Sequence, residues 1–439
     1  MNKQSEQILE EQLVAQLQTM NYQFELIHSE QDLIRNLKQQ LEKHNNVKFT
    51  DTEFKKVLNI LSKGNVFDKA KTLRELKHHI IRDDNTNLYF NFLNTEHWCS
   101  NQYQVTRQIN NEGKYKNRYD VTLLINGLPL VQIELKRRGL ELKEAFNQIN
   151  RYQRHSYGAS AALFQYIQLF VISNGVNTKY FANNRKQSFK QTFYWTNKNN
   201  ERLTNILNGF TSEFLDPCHI SKMICKYTVL NETHKQLMVL RPYQYYAVEA
   251  LVDTVMNSNK NGYIWHTTGS GKTLTSFKAS QVLVKLPTIK KVVFCVDRKD
   301  LDYQTNKEFD SFKKGCVDAT NNTKQLVEQF ADPNTKLIVT TIQKLNTALV
   351  KSKYLTQMEA LKNEKIVFIF DECHRSQFGD THKRIKAFFN NIQLFGFTGT
   401  PILVENAIDN KTTKDLFGEC LHKYLITDAI RDENVLKFS

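Results

Sequence analysis

The chain has 439 residues, 40% hydrophobic and 24% charged, which is ordinary for soluble protein and long enough for two or three domains. Lysine and arginine outnumber aspartate and glutamate by 60 to 45, and the net charge of +15 favours either a polyanionic partner such as nucleic acid or a merely basic surface. Seven scattered cysteines without a C-x-x-C pair suggest neither a disulfide framework nor a zinc site, so we expect reduced thiols. The sequence shows no export signal and no long apolar run, so neither secretion nor membrane insertion is indicated and we expect a cytoplasmic location.

The amino-terminal part of the chain is predicted to contain three helices. Apolar residues recur at helical spacing between residues 5 and 20, which predicts the first. Ser29 with Asp32, and Thr50 with Glu53, have the spacing of capping boxes and predict where the second and third helices begin. We expect these helices to form a structural lobe around later chemistry.

The first set of residues with chemical potential belongs to a predicted hairpin. The dipeptide Asn126-Gly127 separates two β-rich runs and is typical of a tight turn between strands. Because side chains alternate along a strand, Glu134 and Lys136 share one face of the second run, and Asp120 lies on the neighbouring strand. Asp120 and Glu134 would hold one Mg²⁺, and Lys136 would position a water and stabilise charge on phosphorus. This is the chemistry of metal-assisted phosphodiester hydrolysis.

This spacing, D-x(13)-E-x-K, resembles the PD-(D/E)xK nuclease pattern, with Tyr119 where the name of the pattern has proline. The alternative is a solvated polar face of a strand, since such spacing occurs often by chance. The resemblance implies a mixed sheet with helices, and a further glutamate on an early helix near the metal. Glu10 and Glu11 are both candidates for that role.

A helix is predicted from residue 142 to residue 157, and it carries two Gln-x-x-x-Tyr pairs. Gln148 and Tyr152 lie one turn apart on one face, and Gln153 and Tyr157 have the same spacing. Either pair resembles the Q-x-x-x-Y element that accompanies some of these nucleases. We favour Gln148 and Tyr152 because they lie nearer to Lys136.

Beyond this helix the sequence predicts a buried strand at residues 166–173. The following polar and basic segment, residues 183–200, contains Tyr194 and Trp195. Aromatic residues among basic ones are typical of nucleic-acid contact, but a solvated loop is the alternative.

The last part of the amino-terminal half is predicted as a helix over residues 201–214 and a linker over residues 216–233. We therefore place a domain boundary near residue 230. The two predicted domains are residues 1–230 and residues 231–439.

The second domain begins with a stretch that carries Arg241 and Gln244. A glutamine amide can recognise the edge of adenine through one donor and one acceptor. Its position upstream of a nucleotide loop resembles the Q-motif of superfamily 2 helicases. Arg241 and Gln244 are therefore candidate nucleotide-binding residues.

The nucleotide loop itself joins a strand-like run, residues 262–265, to a helical one, residues 274–285. That context is what a P-loop requires. The glycines turn backbone N–H groups toward phosphate, the lysine reaches the β- and γ-phosphates, and the threonine hydroxyl ligates Mg²⁺. The candidate ATP-binding residues are Thr268, Gly269, Ser270, Gly271, Lys272 and Thr273. His266 occupies the position of the first glycine of the general pattern.

Apolar runs that alternate with helical stretches follow the loop, and they predict a parallel, doubly wound sheet. Polar residues come directly after several of these runs, where a parallel sheet gathers its functional residues. Asp371 would bind Mg²⁺, and Glu372 would polarise the water that attacks the γ-phosphate. His374, Thr398 and Thr400 would couple the nucleotide state to DNA.

Together these stretches resemble the R subunit of type I restriction enzymes, over the whole length of the chain. The resemblance rests on residues 266–273, 296–301, 371–377 and 397–401, and on Asn-Arg-Tyr-Asp at 117–120 and Ile-Glu-Leu-Lys at 133–136. It implies an α/β protein with an amino-terminal PD-(D/E)xK-type nuclease domain followed by one RecA-like domain. It also implies ATP-driven movement along double-stranded DNA, Mg²⁺-dependent cleavage, and methyltransferase and specificity subunits as partners.

The resemblance also implies a second RecA-like domain, which the sequence up to Ser439 does not contain. We therefore expect residues 1–439 alone to bind ATP weakly and hydrolyse it little. Two alternatives are a stand-alone nuclease with a regulatory ATPase domain and a catalytically silent module that binds DNA or a partner.

Overall fold

The computed structural model describes residues 5–112, 116–155, 163–185, 187–296, 307–311, 318–319, 322–371, 373, 378–406 and 412–434. The chain divides into two compact units, one formed by residues up to 230 with 235–239, and the other by residues 231–234 with those from 240 onward. Among the helices in the described ranges, none has the length and apolar character needed to cross a membrane.

The described residues of the first unit form seven α-helices: α1 Glu6–Thr19, α2 Glu30–Asn45, α3 Asp51–Ser62, α4 Val66–Thr72, α5 Leu142–His155, α6 Thr211–Phe214 and α7 Pro217–Lys222. Its strands are β1 Gln23–Phe24, β2 His78–Ile81, β3 Asn87–Phe90, β4 Tyr103–Glu112, β5 Lys116–Ile125, β6 Leu128–Leu135, β7 Leu169–Ser173, β8 Thr178–Ala182, β9 Thr228–Asn231 and β10 Gln236–Val239. Single helical turns occur at Trp98–Ser100, Leu163–Tyr166, Phe189–Gln191, Ile206–Phe210 and Met223–Tyr227.

A mixed sheet with the strand order β1-β4-β5-β6-β7-β8 forms the centre of this unit. β4, β5 and β6 pair antiparallel, whereas β6 pairs parallel with β7. Helix α1 packs against β4, β5 and β6, and α5 packs against β6 and β7. Every residue of β6 is buried, including Gln132 and Glu134. The alternative of a solvated polar strand face is therefore wrong.

The predicted signals for helix starts and for the hairpin are confirmed. Ser29 Oγ accepts a hydrogen bond from the Asp32 N–H at 3.2 Å, and Asp32 Oδ2 accepts one from the Ser29 N–H at 3.0 Å. Thr50 and Glu53 form the same reciprocal pair at the start of α3. In the turn, Asn126 and Gly127 both have positive φ angles, of 51° and 82°, as a two-residue hairpin of this kind requires.

Two predictions for the end of this unit are wrong. Residues 201–214 are not one helix, because Asn208 and Gly209 have non-helical backbone angles and only short turns form around them. The predicted linker over residues 216–233 instead contains α7 and β9. The predicted buried strand at residues 166–173 is confirmed from Leu169 to Ser173, with a start three residues later than predicted.

The prediction that all thiols are reduced is also wrong, because Cys99 and Cys218 form a disulfide. The two cysteines are 119 residues apart, so their spacing gave no signal. They meet because the turn at Trp98–Ser100 packs against α7. Of the other described cysteines, Cys225 and Cys420 are half-buried, Cys295 and Cys373 are buried, and none of the four is in a disulfide.

The second unit contains the helices α8 Pro242–Asn257, α9 Lys272–Leu283, α10 Thr323–Ala331, α11 Ile342–Val350, α12 Ser352–Met358, α13 Phe378–Phe388, α14 Thr413–Phe417 and α15 Ile426–Arg431, with single turns at Glu359–Leu361 and Val404–Asn406. Its strands are β11 Gly262–His266, β12 Lys291–Val296, β13 Asp318–Ala319, β14 Leu337–Thr341, β15 Ile366–Asp371, β16 Ile392–Thr398 and β17 Glu419–Tyr424.

These strands form one sheet in the order β13-β14-β12-β15-β16-β11-β17. Every pair in it is parallel, which confirms the predicted parallel sheet. The central strands are buried along nearly their whole length, as expected for a sheet with both faces covered. The first strand in sequence, β11, lies between β16 and β17.

Candidate functional sites

The hairpin brings Asp120, Glu134 and Lys136 together. Val121 pairs with Ile133, so the next pair outward places Asp120 opposite Glu134. Asp120 Oδ2 accepts a hydrogen bond from the Leu135 N–H at 2.8 Å. Lys136 Nζ donates to Glu134 Oε1 at 3.2 Å and to the Leu135 carbonyl oxygen at 2.9 Å. Two carboxylates and an ammonium group therefore converge at one end of the hairpin.

Burial makes the negative charge of this cluster costly. It raises the pKa of Glu134 well above its usual range, and the charge of Asp120 acts in the same direction, while Lys136 opposes both. Burial also raises the pKa of Asp120, against the hydrogen bond from the Leu135 N–H and the charge of Lys136. One lysine does not fully offset two buried carboxyl groups, so a bound cation would stabilise both as anions.

The donor set fits Mg²⁺. Glu134 Oε2 is buried and has no hydrogen-bond partner in the part of the chain that the structure describes. An unpaired carboxylate oxygen is a suitable ligand for a hard cation. No group of three or more His, Cys, Asp or Glu side chains suited to a metal occurs within the described residues. Mg²⁺ commonly takes one or two carboxylates and keeps several waters, so Asp120 and Glu134 are sufficient protein ligands.

Of the two early glutamates, the structure brings Glu10 toward Asp120. Glu10 is 4% exposed, and this burial is the main reason why its pKa is raised. The negative charge of Asp120 raises the pKa of Glu10 as well. Glu11 is exposed, and Arg107 Nη1 lies 3.6 Å from a carboxylate oxygen of each of the two glutamates. Glu10 is therefore the glutamate with a place beside the hairpin carboxylates.

Gln108 is a residue that the sequence reasoning missed. Arg107 pairs with Val121 and Ile109 pairs with Tyr119, so Gln108 lies opposite Asp120 in the sheet. Its φ angle is +56°, which is unusual for a residue other than glycine. Its Nε2 donates a hydrogen bond to Glu10 Oε1 at 3.0 Å. No sequence pattern marks this glutamine, because its role depends on the pairing of β4 with β5.

The two Gln-x-x-x-Tyr pairs have different surroundings. Gln148 Nε2 donates to the Tyr152 hydroxyl, which donates to the Arg118 carbonyl oxygen at 3.1 Å. Burial and the charge of Glu134 raise the pKa of Tyr152. Gln153 instead donates to Asn183 Oδ1 at 2.6 Å, and Tyr157 lies outside the described residues. The structure thus places Tyr152, on helix α5, in contact with the strand that carries Asp120.

In the second unit, the nucleotide loop connects β11 to α9 as predicted. Gly269 and Gly271 have φ angles of 78° and 77°. A Cβ atom on Gly271 would lie 2.9 Å from Gln244 Nε2, which is the end of a flexible side chain, so the backbone conformation is what requires glycine there. Helix α9 begins at Lys272, and its first turn has N–H groups without partners inside the helix. These groups and the helix dipole favour an anion at the loop.

Gln244 has a different geometry from the one expected. It is 3% exposed, and its Oε1 accepts a hydrogen bond from the Arg241 N–H at 3.0 Å. Its Nε2 donates to the Gly271 carbonyl oxygen at 3.2 Å. Both ends of the amide are used within the protein, so this arrangement supports bracing of the loop rather than recognition of adenine. The guanidinium of Arg241 donates to Asn434 Oδ1.

His266 is fully buried at the end of β11 and packs against neighbouring strands. Its Nε2 lies 3.0 Å from Nδ1 of His422 on β17. Burial lowers the pKa of His266 well below its usual range, and lowers the pKa of His422 to about 4. Both rings are therefore neutral at physiological pH, and His266 is a packing residue behind the loop.

The carboxyl ends of the neighbouring strands lie level with the loop. Trp265 of β11 pairs with Thr398 of β16, and Phe397 pairs with Asp371 of β15. Adjacent strands are about 4.8 Å apart, so Asp371 lies roughly 10 Å from β11 along the sheet. Gly399, which follows β16, lies close to the nucleotide loop, because a Cβ atom on Gly399 would lie 3.1 Å from Thr268 Oγ1.

The remaining predicted residues of this edge are divided between described and undescribed parts of the chain. The Thr400 N–H donates to Thr398 Oγ1 at 3.1 Å, which fixes the turn after β16. Thr273 is half-buried in the first turn of α9. Glu372 and His374 lie outside the described residues.

Comparison with known proteins covers both units. The family described as type I restriction enzyme R protein N terminus matches residues 3–189, and the SWI2/SNF2 ATPase family matches residues 243–439. A solved fragment of an HsdR subunit of a type I restriction enzyme from Vibrio vulnificus YJ016 is 17% identical, with a TM-score of 0.32, over 75% of this chain and 56% of that one.

Relatives with established names are more similar in sequence. An endonuclease subunit of a type I restriction enzyme from Staphylococcus saprophyticus is 53% identical over 99% of this chain and 47% of the relative. The chain thus spans about half the length of that relative. The endonuclease subunit of the enzyme EcoprrI from Escherichia coli is 36% identical over 58% of this chain and 83% of the relative. The chain belongs to the family of endonuclease (R) subunits of type I restriction enzymes.

Proposed function

We propose that the protein is the restriction and motor subunit of a cytoplasmic type I restriction enzyme, which moves along double-stranded DNA at the expense of ATP and cleaves it. Residues 1–230 are the PD-(D/E)xK endonuclease domain, and residues 231–439 are the first RecA-like motor domain. Its partners are the methyltransferase and specificity subunits. The observation that carries the proposal is the buried cluster of Asp120, Glu134 and Lys136 with an unpaired Glu134 oxygen.

In the proposed cleavage step, Asp120 and Glu134 hold Mg²⁺, which supplies positive charge next to the scissile phosphate. Lys136 is held by Glu134 and the Leu135 carbonyl, so its ammonium group has a fixed position. It orients the attacking water and stabilises the charge that develops on the phosphate oxygens. Tyr152, held by Gln148, fixes the strand that carries Asp120 through the Arg118 carbonyl.

In the proposed motor step, the loop from Thr268 to Thr273 holds the phosphates of ATP. Lys272 contacts the β- and γ-phosphates, and Thr273 and Asp371 hold Mg²⁺. Glu372 polarises the attacking water, while His374, Thr398 and Thr400 transmit the nucleotide state. Contact with DNA is mainly to phosphates and therefore sensitive to salt.

A polypeptide of residues 1–439 tested alone is expected to hydrolyse ATP slowly. Motors of this kind complete their site with an arginine that stabilises the transferring phosphoryl group, which a second RecA-like domain supplies. Turnover is therefore predicted to stay below about ten per second with DNA present. A DNA-stimulated rate at or above that value would overturn this part of the proposal.

The nuclease assignment is tested by Mg²⁺-dependent nicking of long DNA. Asp120→Ala and Lys136→Ala should each abolish nicking while DNA binding is kept, because they remove a metal ligand and a charge at the phosphate. Lys55→Ala, at an exposed position on α3, is the matched control. Absence of nicking with any divalent metal would favour the silent binding module. Nicking that needs neither ATP nor a partner subunit would favour a stand-alone nuclease.

A further inference from the structure

A cleft of about 570 Å³ lies in the first unit, at the carboxyl end of β6 and β7. Its lining includes Arg138, Lys143 and Lys179, together with the ring of Tyr194. Among the described lining residues, three carry positive charge and one, Glu141, carries negative charge. The cleft therefore favours an anionic occupant.

Two of the three cations are available to such an occupant. Arg138 and Lys143 are exposed. Neither of them forms an ion pair with a carboxylate in the part of the chain that the structure describes. Exposed arginine and lysine side chains that form no ion pair with a carboxylate of the protein are suited to binding phosphate groups, since no neighbouring negative charge neutralises them.

The third cation lies against a wall of aromatic rings. Lys179 Nζ lies 4.7 Å from the ring centre of Tyr194 and 5.0 Å from that of Phe189. The guanidinium of Arg202 lies 4.7 Å from the ring centre of Tyr194. The next residue, Trp195, is fully buried against Tyr180 and anchors the segment. Phe189 and Tyr194, from the predicted basic and aromatic segment, thus form one wall of the cleft.

The cleft adjoins the proposed cleavage residues. The Lys136 N–H donates to the Ser173 carbonyl at 2.8 Å, and Asn174 Nδ2 donates to the Leu140 carbonyl at 2.7 Å. Asn174 and Leu140 both line the cleft. Arg138 follows Lys136 by two residues, so their Cα atoms are at most about 7 Å apart. Successive phosphates of one strand rise by about 3.4 Å, so the cleft lies within a few nucleotides of the phosphate at Lys136.

We propose that this cleft binds the phosphate backbone of a DNA strand beside the scissile phosphate, with Arg138 and Lys143 as its contacts. The proposal rests on the nuclease function proposed above, because that function defines which phosphate is the scissile one. It names a binding site that is separate from the carboxylate cluster. It does not require a particular base sequence, because phosphate contacts carry none.

The test measures duplex binding by the 439-residue chain at several salt concentrations, without divalent metal so that no cleavage occurs. Each phosphate contact contributes about −0.9 to the slope of log K against log salt. The double variant Arg138→Ala/Lys143→Ala should make that slope less negative by about 1.8. Arg138→Gln/Lys143→Gln should give the same shift, and it guards against a misfolded first variant. The control Lys55→Ala/Lys63→Ala, also exposed, should leave the slope unchanged.

An unchanged slope in both cleft variants would overturn the proposal, and so would an equal shift in the control. The outcome is independent of catalysis. If the cleft variants have a less negative slope but the protein shows no Mg²⁺-dependent nicking, the binding site stands and the nuclease assignment fails. If nicking depends on Asp120 but the slope of the cleft variants is unchanged, the nuclease assignment stands and the binding site fails.

Discussion

Gln108 has a left-handed backbone conformation inside an extended strand, with φ at +56°. Such a conformation costs about 1–3 kcal/mol and persists only where the surroundings impose it. Here it directs the side chain to Glu10, and Glu10 is one of the carboxylates near Asp120. We interpret Gln108 as a positioning residue that holds Glu10 in place beside Asp120, which is one of the two proposed metal ligands.

The substitution Gln108→Gly tests the contribution of the backbone conformation separately from that of the side-chain amide. Glycine adopts this φ without strain, so the protein should keep or gain thermal stability. Loss of the amide should raise the Mg²⁺ concentration for half-maximal cleavage about tenfold, as is typical when a residue that orients metal ligands is removed. The rise in Tm caused by Mg²⁺ should shrink in parallel. Asn46→Gly, at φ +51° on the end of α2, is the matched control and should not change the Mg²⁺ requirement. An unchanged requirement in Gln108→Gly would refute the positioning role.

The histidine pair behind the nucleotide loop predicts acid sensitivity. The folded pKa of His422 is about 4, below its usual 6.5, so the unfolded chain binds more protons between these values. The stability from the neutral ring is complete above pH 6.5 and is lost as pH falls toward 4. Between pH 7 and pH 5 this amounts to about 2 kcal/mol of unfolding free energy.

His422→Asn should therefore lose less stability than the unchanged protein over that pH range, as measured by urea unfolding. His97→Asn, at an exposed position in the first unit, should behave like the unchanged protein. An equal loss in His422→Asn and the unchanged protein would show that the buried ring is not the cause.

At the scale of elements, the hairpin of β5 and β6 sets the geometry of the carboxylates. Its turn glycine, Gly127, has a φ of +82°, and a Cβ atom there would lie 2.7 Å from Leu37 Cα. Gly139 has a φ of +96° and nothing within 4 Å of such an atom. Alanine at either position meets the same backbone strain, but only Gly127→Ala meets another backbone.

Gly127→Ala is thus expected to lower the free energy of unfolding by roughly 1–3 kcal/mol more than Gly139→Ala does. It should also reduce cleavage, because the turn, together with the register shift between Leu123 and Leu124, determines the pairing of Asp120 with Glu134. Urea unfolding of the two variants measures the difference. Equal destabilisation would mean that helix α2 moves away from the turn at little cost.

The local signals in the sequence predict the elements that depend on neighbouring residues. The capping boxes of α2 and α3 and the turn at Asn126-Gly127 are of this kind, and so is the loop before α9. The helix predicted over residues 201–214 fails because helical periodicity does not report the left-handed backbone at Gly209. The disulfide between Cys99 and Cys218 was not predicted for another reason, since a contact between residues 119 positions apart has no sequence pattern.

The candidate site divides in the same way. Strand alternation places Glu134 and Lys136 on one face, and the turn brings Asp120 onto the neighbouring strand. Their final register was not predictable, because an irregularity between Leu123 and Leu124 shifts the pairing by one residue and so places Asp120 opposite Glu134. Glu10 and Glu11 are neighbours, and a helix rotates by about 100° between them, so only the packing of α1 on the sheet separates their environments. The role of Gln244 was not predictable, because it depends on carbonyl groups 26 and 27 residues further along the chain.

At the scale of the whole molecule, the chain carries two proposed chemistries in two compact units. Lys272→Ala should abolish ATP-driven translocation by the full-length, assembled enzyme, because the loop loses its contact with the β- and γ-phosphates. The rise in Tm that Mg²⁺ causes in the first unit should stay unchanged, as should DNA binding. Translocation at the unchanged rate would mean that the loop assignment is wrong.

The central claim is that one subunit couples an ATP-driven motor to cleavage at Asp120, Glu134 and Lys136. The most direct measurement follows translocation and double-strand cleavage in parallel, in the full-length protein assembled with its partner subunits. Lys136→Ala is predicted to translocate at the normal rate and to leave the DNA intact, whereas Lys272→Ala is predicted to do neither. Normal cleavage by Lys136→Ala would contradict the claim.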